Sequence, residues 1–306
     1  MKFIHKLLYL ALMLFIISAI SFIAVHLAPN SFFASGELNP NITEESIAEL
    51  KAIYNLDKPL YIQFFSWIGN ILTLDFGISF VSGEEVKTEI LSRIPITLTI
   101  NIISMVFIFF ISLILGIKSA FHQNKFIDKF TKQLSILSFS MPSFYLALIL
   151  IYIFAIKLQL VPLLGVDKSN HYKGLILPIV IMVFGGIGSL TLYIRSLTIE
   201  ILKTDYIFWA KARKLTNKQI LRYYILPNLY PTIITLLGLS LPGIIGGSVI
   251  LETIFGINGM GLLFFQSALS HDYPVIMGIL IIGAFLTLVG NIIADLVLLK
   301  LNPNML

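Results

Sequence analysis

The chain contains no cysteine. That excludes a disulfide framework, a thiolate metal site and a thiol nucleophile. Charge is also scarce: only 12% of the 306 residues are Asp, Glu, Lys or Arg, about half the roughly 25% usual in soluble domains. So few charges cannot cover a surface in water, and lipid must solvate much of this one. No GxxxxGK(S/T) loop occurs, which excludes an ATPase site of that type in this chain. The stretch GINGMG (256–261) is glycine-rich but lacks the strand–loop–helix setting of a nucleotide loop; it reads as a turn on the outer side. What the chain has in abundance is apolar residues, 57% of the total, with a mean hydropathy of +0.93. The net charge of +5 fits the basic cytoplasmic loops of a membrane protein and needs no nucleic acid to explain it.

Six apolar runs are long enough to cross about 30 Å of hydrocarbon. They lie near 7–28, 95–120, 133–157, 174–197, 229–251 and 275–299. The first follows Lys2, His5 and Lys6 as a signal peptide would. It exceeds the roughly 7–15 apolar residues of a signal core, however, and Ala28-Pro29-Asn30 is a poor cleavage site, so it reads as an uncleaved membrane helix. The fifth run is interrupted by Pro242, Gly243, Gly246 and Gly247. Such breaks are tolerated at membrane depth where protein or water satisfies the freed backbone groups.

Loop charge sets the expected orientation. Segment 29–94 holds nine acids against four bases, a net −5. Loop 118–132 has four lysines against Asp128, a net +3, and 195–222 has seven bases against Glu200 and Asp205, a net +5. Positive loops face the cytoplasm. Both termini and these two loops are therefore expected inside, and 29–94 outside. Loop 157–173, with Lys157, Lys168 and Lys173, departs from the pattern. Within the outer segment, Thr43-Glu44-Glu45-Ser46 reads as a helix start, followed by Ile47, Leu50 and Tyr54 on one face. Pro59 opens a second helix bearing Leu60, Phe64, Trp67, Ile68 and Ile71. The expected layout is a membrane helix over 1–28, an outer helical segment over 29–94, and a five-helix core over 95–306 containing a cytoplasmic loop at 198–228.

That loop, DYIFWAKARKLTNKQILRYYILP (205–227), is the most distinctive polar feature. Two short helices are expected, from Asp205 to about Arg213 and from Asn217 to about Leu226. Asp205 is the expected cap of the first, and Thr216 or Asn217 of the second. Pro227 and Pro231 are expected to restart the chain at the next span. A helix–turn–helix elbow projecting from the membrane suits docking; a merely basic loop is the plainer alternative.

The loop resembles the cytoplasmic signature of ABC importer permeases: Glu-Ala-Ala, three residues, Gly, nine residues, Ile-x-Leu-Pro. Leu226 and Pro227 match its end and Ala210 its second Ala. Phe208, Trp209 and Tyr224 occupy the Glu, first-Ala and Ile positions, and Lys214 stands where the family has Gly. A left-handed turn at Lys214 would cost roughly 1 kcal/mol. Nearly the whole chain is similar to the dipeptide, oligopeptide and nickel branch of these permeases, through LDKPLYIQFFSWIGNILTLDFGISF (56–80), SMPSFYLALIL (140–150), Asp205-Tyr206, GGSVILETIFGINGMG (246–261) and HDYPVIMG (271–278).

The resemblance implies an all-α, six-helix membrane protein with the type I ABC importer permease fold, a transport subunit and not an enzyme, without cofactors. It implies a second homologous permease, two cytoplasmic ABC ATPases and an outer substrate-binding protein as partners, in a prokaryotic inner membrane. Asp205, Trp209, Ala210, Lys211, Arg213, Lys214, Leu215, Leu226 and Pro227 would belong to the region seated on an ATPase. ATP would shift a two-state pore through its differential affinity for the closed ATPase pair. Within the branch, LDFGISF, SMPSFYLAL and Trp209-Ala210 with Lys218-Gln219 look nearest the nickel permeases, and nickel as a chelate is the expected cargo, with di- or oligopeptides as the alternative. A passive channel or membrane scaffold would not need the elbow.

Few ionisable groups lie near the spans. Glu252, beside Thr253, is a candidate for the pathway or outer gate, since acids near membrane depth are functional candidates; a helix-end carboxylate bonded to local backbone is the alternative. His26 and His271 are expected near the outer surface. No set of Glu, His or Asp has the spacing of a metal site. Asn291 and Asp295 share one face of the last span, where a polar contact between helices is expected. Arg195 is expected to snorkel at the end of span four. Asp272 with Tyr273-Pro274 is expected to shape the outer turn before span six.

Overall fold

The computed structural model describes residues 2–27, 58–162, 173–246 and 248–301. All regular structure among them is helical, apart from one isolated bridge between Ile78 and Glu85. The helices are α1 (Lys2–Leu27), α2 (Leu60–Leu72), α3 (Val86–Phe121), α4 (Phe126–Ser140), α5 (Ser143–Leu150), α6 (Ile176–Leu202), α7 (Asp205–Ala212), α8 (Asn217–Ile220), α9 (Leu226–Gly246), α10 (Val249–Phe255), α11 (Met260–Leu269) and α12 (Tyr273–Leu301). π-Helical turns follow α5, over Ile151–Lys157, and α8, over Leu221–Ile225.

Among the described residues, three helical stretches are long and apolar enough to cross a bilayer: Val86–Phe121, Lys173–Leu202 and Tyr273–Ile293. Two bent pairs raise that number to five, and α1 contributes a shorter apolar stretch, Leu8–Ala24. The 36 residues of α3 extend about 54 Å at 1.5 Å per residue. That exceeds the hydrocarbon core, and the helix begins nine residues before the run expected at 95.

Two expected spans are not single helices. The run 133–157 is broken where α4 meets α5, at an angle of 99°. Pro142 has no N–H to continue the helix of α4 and holds Met141 extended, at φ −85°, ψ 121°. The apolar composition on both sides hides this break from a hydropathy reading. The run 229–251 is likewise divided between α9 and α10; Ser248 caps α10, its hydroxyl accepting from the Leu251 N–H at 3.3 Å. The helix expected from Thr43 lies outside the described residues. The helix expected after Pro59 is α2, with Pro59 at its N-cap.

The chain forms two compact units, Met1–Pro95 with Leu263–Leu288, and Ile96–Leu262 with Val289–Leu306. In the first, Phe22 of α1, Phe64 of α2, and Tyr273 and Met277 of α12 form a buried cluster. Phe64 meets Phe22 and Phe15 edge-on at 5.4 and 5.6 Å between centroids. Each such pair contributes about 0.5–1.5 kcal/mol beyond its burial.

In the same unit Asp272 is buried and organises the turn before α3. Its carboxylate accepts from the Ser79 hydroxyl at 2.5 Å and from the Phe80 and Val81 N–H groups at 3.1 and 3.4 Å. Ser79 Oγ in turn accepts from Val81 and Ser82. Asp272 thus ties this turn to the start of α12 across nearly two hundred residues of sequence. Asp272→Ala would remove the acceptor of the buried Ser79 hydroxyl and of the part-buried Phe80 N–H, at about 1–3 kcal/mol for the buried bond, while Val81 keeps Ser79 Oγ as acceptor. We expect a lower unfolding midpoint for the detergent-purified protein, with Asp272→Asn intermediate.

Among the described residues, two apolar clusters lie in the second unit. One joins Ile100, Ala147, Leu177, Ile181, Leu251, Phe255 and Ile257, and so holds α10 against α3, α5 and α6. The other joins Ile117 and Ile194 to Ile207, Ala210, Ile220, Ile225 and Leu229, which seats the polar elbow on the ends of α3 and α6.

Candidate functional site

The elbow is built from α7 and α8. Thr204, not Asp205, is the N-cap of α7; Asp205 lies in the first turn, where its charge suits the helix dipole. Thr204 is extended, at ψ 153°, while Asp205 already has helical backbone, so the helix starts one residue after its cap. The helix ends at Ala212, where Arg213 N–H bonds to the Trp209 carbonyl and Leu215 N–H to the Ala210 carbonyl. Thr216 caps α8 in a reciprocal box: its hydroxyl accepts from the Gln219 N–H, and the Gln219 side-chain oxygen accepts from the Thr216 N–H at 2.8 Å.

Lys214 stands at the turn with φ of +60°. The lysine therefore adopts the left-handed conformation for which the family position carries Gly. Lys214→Gly should stabilise the purified protein by about 1 kcal/mol, read as a raised unfolding midpoint. Unchanged or lower stability would show that the lysine side chain compensates for its backbone.

The second helical piece does not end at Leu226. It passes through the π-turn directly into α9, so Pro227 falls in the first turn of α9 and Pro231 in the second. Both prolines lack the N–H that would continue the bonding of this unbroken helical run, and the π-turn just before Pro227 is the local irregularity in it.

The elbow has two distinct faces. Ile207, Ala210, Ile220 and Ile225 are buried against α3 and α6. Phe208, Trp209 and Tyr223 are about two-thirds exposed, at 66%, 64% and 63%. Asp205, Lys211, Arg213, Lys214 and Pro227 are also exposed, whereas Leu215 and Leu226 are half-buried. Tyr206 stacks on Tyr224, with centroids 6.1 Å apart and planes 15° off parallel. Phe208 and Tyr223, absent from the sequence-based set, join Trp209 as the most exposed aromatics of the elbow, ahead of Tyr206. An apolar patch of this kind among bases has the composition of a protein-binding surface. Ala210 has a different place from its neighbours, because it faces the protein interior.

Glu252 lies in the first turn of α10, beyond the broken span, and is 3% exposed. Its carboxylate accepts from the Thr97 hydroxyl of α3 at 3.1 Å and from the Leu262 N–H at 2.9 Å. Thr97 Oγ1 accepts in turn from the Met260 N–H at 2.9 Å. Gly259 passes directly over this pair: a Cβ there would stand 2.5 Å from Thr97 Oγ1 and 2.6 Å from the Glu252 carboxylate. The acid thus fastens the turn 256–262 to α3, combining local backbone bonds with a long-range one. A small cavity beside it is lined by Asn101, Pro178, Met182 and Ser248. Thr253 is exposed and donates to the Val249 carbonyl at 2.7 Å, so it does not join Glu252. His271 has φ of +58° and its ring lies edge-on to Tyr273. His26 is in the last turns of α1. Among the described residues, no group of three His, Asp or Glu is placed to hold a metal ion.

Arg195 does not snorkel. Its Nε and Nη2 donate to the two oxygens of Asp128 at 2.6 and 2.9 Å. Asp128 is fully buried, and its position in a lysine-rich loop carries no sign of this partner.

Residues 108–306 match the family of binding-protein-dependent transport system inner membrane components, and residues 1–101 match the N-terminal part of such membrane components. The chain belongs to this family. It is 34% identical to the oligopeptide transport system permease AppB of Bacillus subtilis, over 94% of this chain and 93% of that protein. It is 32% identical to the metal-staphylopine import system permease CntB of Staphylococcus aureus, over 87% of this chain and 84% of that one. Over 69% of this chain and 95% of the other, the fold is similar to that of a chain of the MetNI methionine ABC transporter, with a TM-score of 0.57 at 18% identity. The protein is therefore a multi-pass membrane permease subunit of an ABC importer.

Proposed function

We propose that this chain forms one half of an import pore for small peptides, driven by ATP hydrolysed on partner subunits. The elbow carries this reading. Its aromatic and basic face is exposed while its aliphatic face is anchored to α3 and α6, so a partner that moves the elbow moves membrane helices with it. A scaffold or passive channel has no use for such a lever. The partners are a second homologous permease, two cytoplasmic ABC ATPases and an outer substrate-binding protein. Asp205, Phe208, Trp209, Lys211, Arg213, Lys214, Tyr223 and Pro227 supply the docking face, and Ala210, Leu215 and Leu226 hold its shape. Loop charge places the elbow and both termini in the cytoplasm and the segment 29–94 outside. Residues 1–28, 29–94 and 95–306 then act as anchoring helix, outer segment and permease core. Glu252 holds the turn 256–262 near the outer gate, with Thr253, His26 and His271 as further candidates for the pathway.

Peptides come first as cargo because the oligopeptide permease is similar over almost the whole of both chains. Nickel carried as a chelate is the second reading, favoured by the similarity to the metal-staphylopine permease. Uptake of radiolabelled nickel and of radiolabelled trialanine, in cells with and without the gene, separates the two cargoes. Loss of trialanine uptake with nickel uptake unchanged establishes peptides. Loss of a nickel uptake that excess dipeptide does not suppress in the parent cells moves the cargo to the chelate. Retention of both refutes the import reading.

A further inference from the structure

The Asp128–Arg195 pair has no part in the docking surface or in the Glu252 turn, yet it is the most completely bonded charge described in the protein. The buried carboxylate accepts from Arg195 twice, from the Ser119 hydroxyl at 2.5 Å and from the Asn124 N–H at 2.8 Å, and lies 3.3 Å from the Lys132 ammonium. These partners come from the end of α3, the turn 122–124, α4 and α6. One side chain therefore joins three helices and the turn between two of them. Replacing a buried ion pair by apolar packing is often neutral or stabilising. Its distinctive contribution here is geometric: a bidentate guanidinium–carboxylate pair fixes orientation as well as distance.

The surroundings indicate what this geometry serves. Ile194 precedes Arg195, and Ile117 lies two residues before Ser119. Both are buried in the cluster that seats Ile207, Ala210, Ile220 and Ile225 of the elbow. Farther along, α4 and α6 are in near-backbone contact: a Cβ on Gly188 would stand 2.5 Å from the Ser135 carbonyl oxygen. Ser138 Oγ donates to the Phe184 carbonyl, and Ser112 of α3 donates to the Ile187 carbonyl at 3.3 Å. At the end nearest the elbow, where this close packing gives way to a charged turn, the ion pair closes the assembly.

We propose that Asp128 and Arg195 are positioning residues that clamp α3, α4 and α6 into one body, so that displacement of the elbow is transmitted to the membrane helices instead of being absorbed by slippage between them. The clamp rests on the coupling role given to the elbow above. Neither residue belongs to the docking face of the elbow or to the turn held by Glu252. Each acts by fixing the helix ends on which the elbow sits.

The test uses the whole transporter, reconstituted in vesicles with its permease, ATPase and binding-protein partners. The probe is radiolabelled trialanine or nickel–histidine, whichever wild-type vesicles accumulate. The readout is the ratio of ATP hydrolysed to cargo accumulated, which a merely structural role would not change once normalised to assembled complex. Asp128→Asn and Arg195→Gln are expected to raise this ratio about tenfold with the ATPases still bound. Arg195→Lys keeps the charge but not the two-pronged geometry, and should raise it less. A wild-type ratio in all three variants overturns the proposal, as does a fall of uptake and hydrolysis in step. If the Asn and Gln variants do not assemble, Arg195→Lys decides, and a wild-type ratio there overturns the clamp. Ala210→Asp is run in parallel. If that variant transports normally, the coupling role of the elbow fails; if it is inactive while the clamp variants keep the wild-type ratio, only the clamp fails.

Discussion

Ala210→Asp is expected to abolish ATP-driven uptake while the protein stays in the membrane. Ala210 is 2% exposed and its methyl group sits among Ile207, Ile220, Ile225 and Leu229, with Ile117 and Ile194 beneath. A carboxylate there has no basic partner in that cluster, and an uncompensated buried charge costs about 3–5 kcal/mol. The elbow rests on a helix of eight residues and one of four, too little structure to absorb that cost, so it leaves its seat. The long apolar helices keep their own burial in lipid. Uptake, membrane-fraction content and copurification of the ATPases measure the three parts of this outcome. Deletion of Lys211–Leu221 should have the same effect. Trp209→Ala removes an exposed ring and should weaken ATPase association with the elbow still folded. Normal uptake by Ala210→Asp would refute the elbow as the coupling element.

The second large effect is expected for Glu252→Ala. The substitution leaves the Thr97 hydroxyl and the Leu262 N–H buried without their acceptor. At about 1–3 kcal/mol each, the loss is roughly 2–6 kcal/mol. The unfolding midpoint in detergent should fall, and uptake with it, because the turn 256–262 is no longer fastened to α3. Glu252→Gln retains a carbonyl oxygen but replaces the second acceptor with a donor, so an intermediate loss is expected. A different pattern, with wild-type stability in both variants and uptake lost in both, would show that Glu252 acts on the cargo pathway and not as a fastener.

The parts of this protein that depend on near neighbours are readable in its sequence. Membrane residence follows from 12% charge and 57% hydrophobic residues, because only lipid can solvate such a surface. The capping box of α8 is legible because Thr216 and Gln219 are three residues apart. The left-handed turn at Lys214 is legible from the Gly that the family carries there. Local patterns also mislead. Thr204 and Asp205 are both good caps and adjacent, and choosing between them requires the backbone. Pro142 breaks a span that hydropathy joins, because the two sides of the 99° bend together are apolar enough to read as one crossing.

The features hidden in the sequence are those whose partners are distant along the chain. Asp128 and Arg195 are 67 residues apart, Thr97 and Glu252 155, and Ser79 and Asp272 193. In the sequence, Asp128 is one acid among lysines, Arg195 reads as a snorkelling base and Asp272 as part of a matching block. By itself the sequence determined the solvent of this protein, its helical periodicity, the polar elbow and the family signature, because each depends on composition or on neighbours within a few residues. Only the tertiary structure decided which face of the elbow is exposed and which donors surround each buried acid. Those depend on which helices pack together, and one chain's local pattern does not specify that pairing.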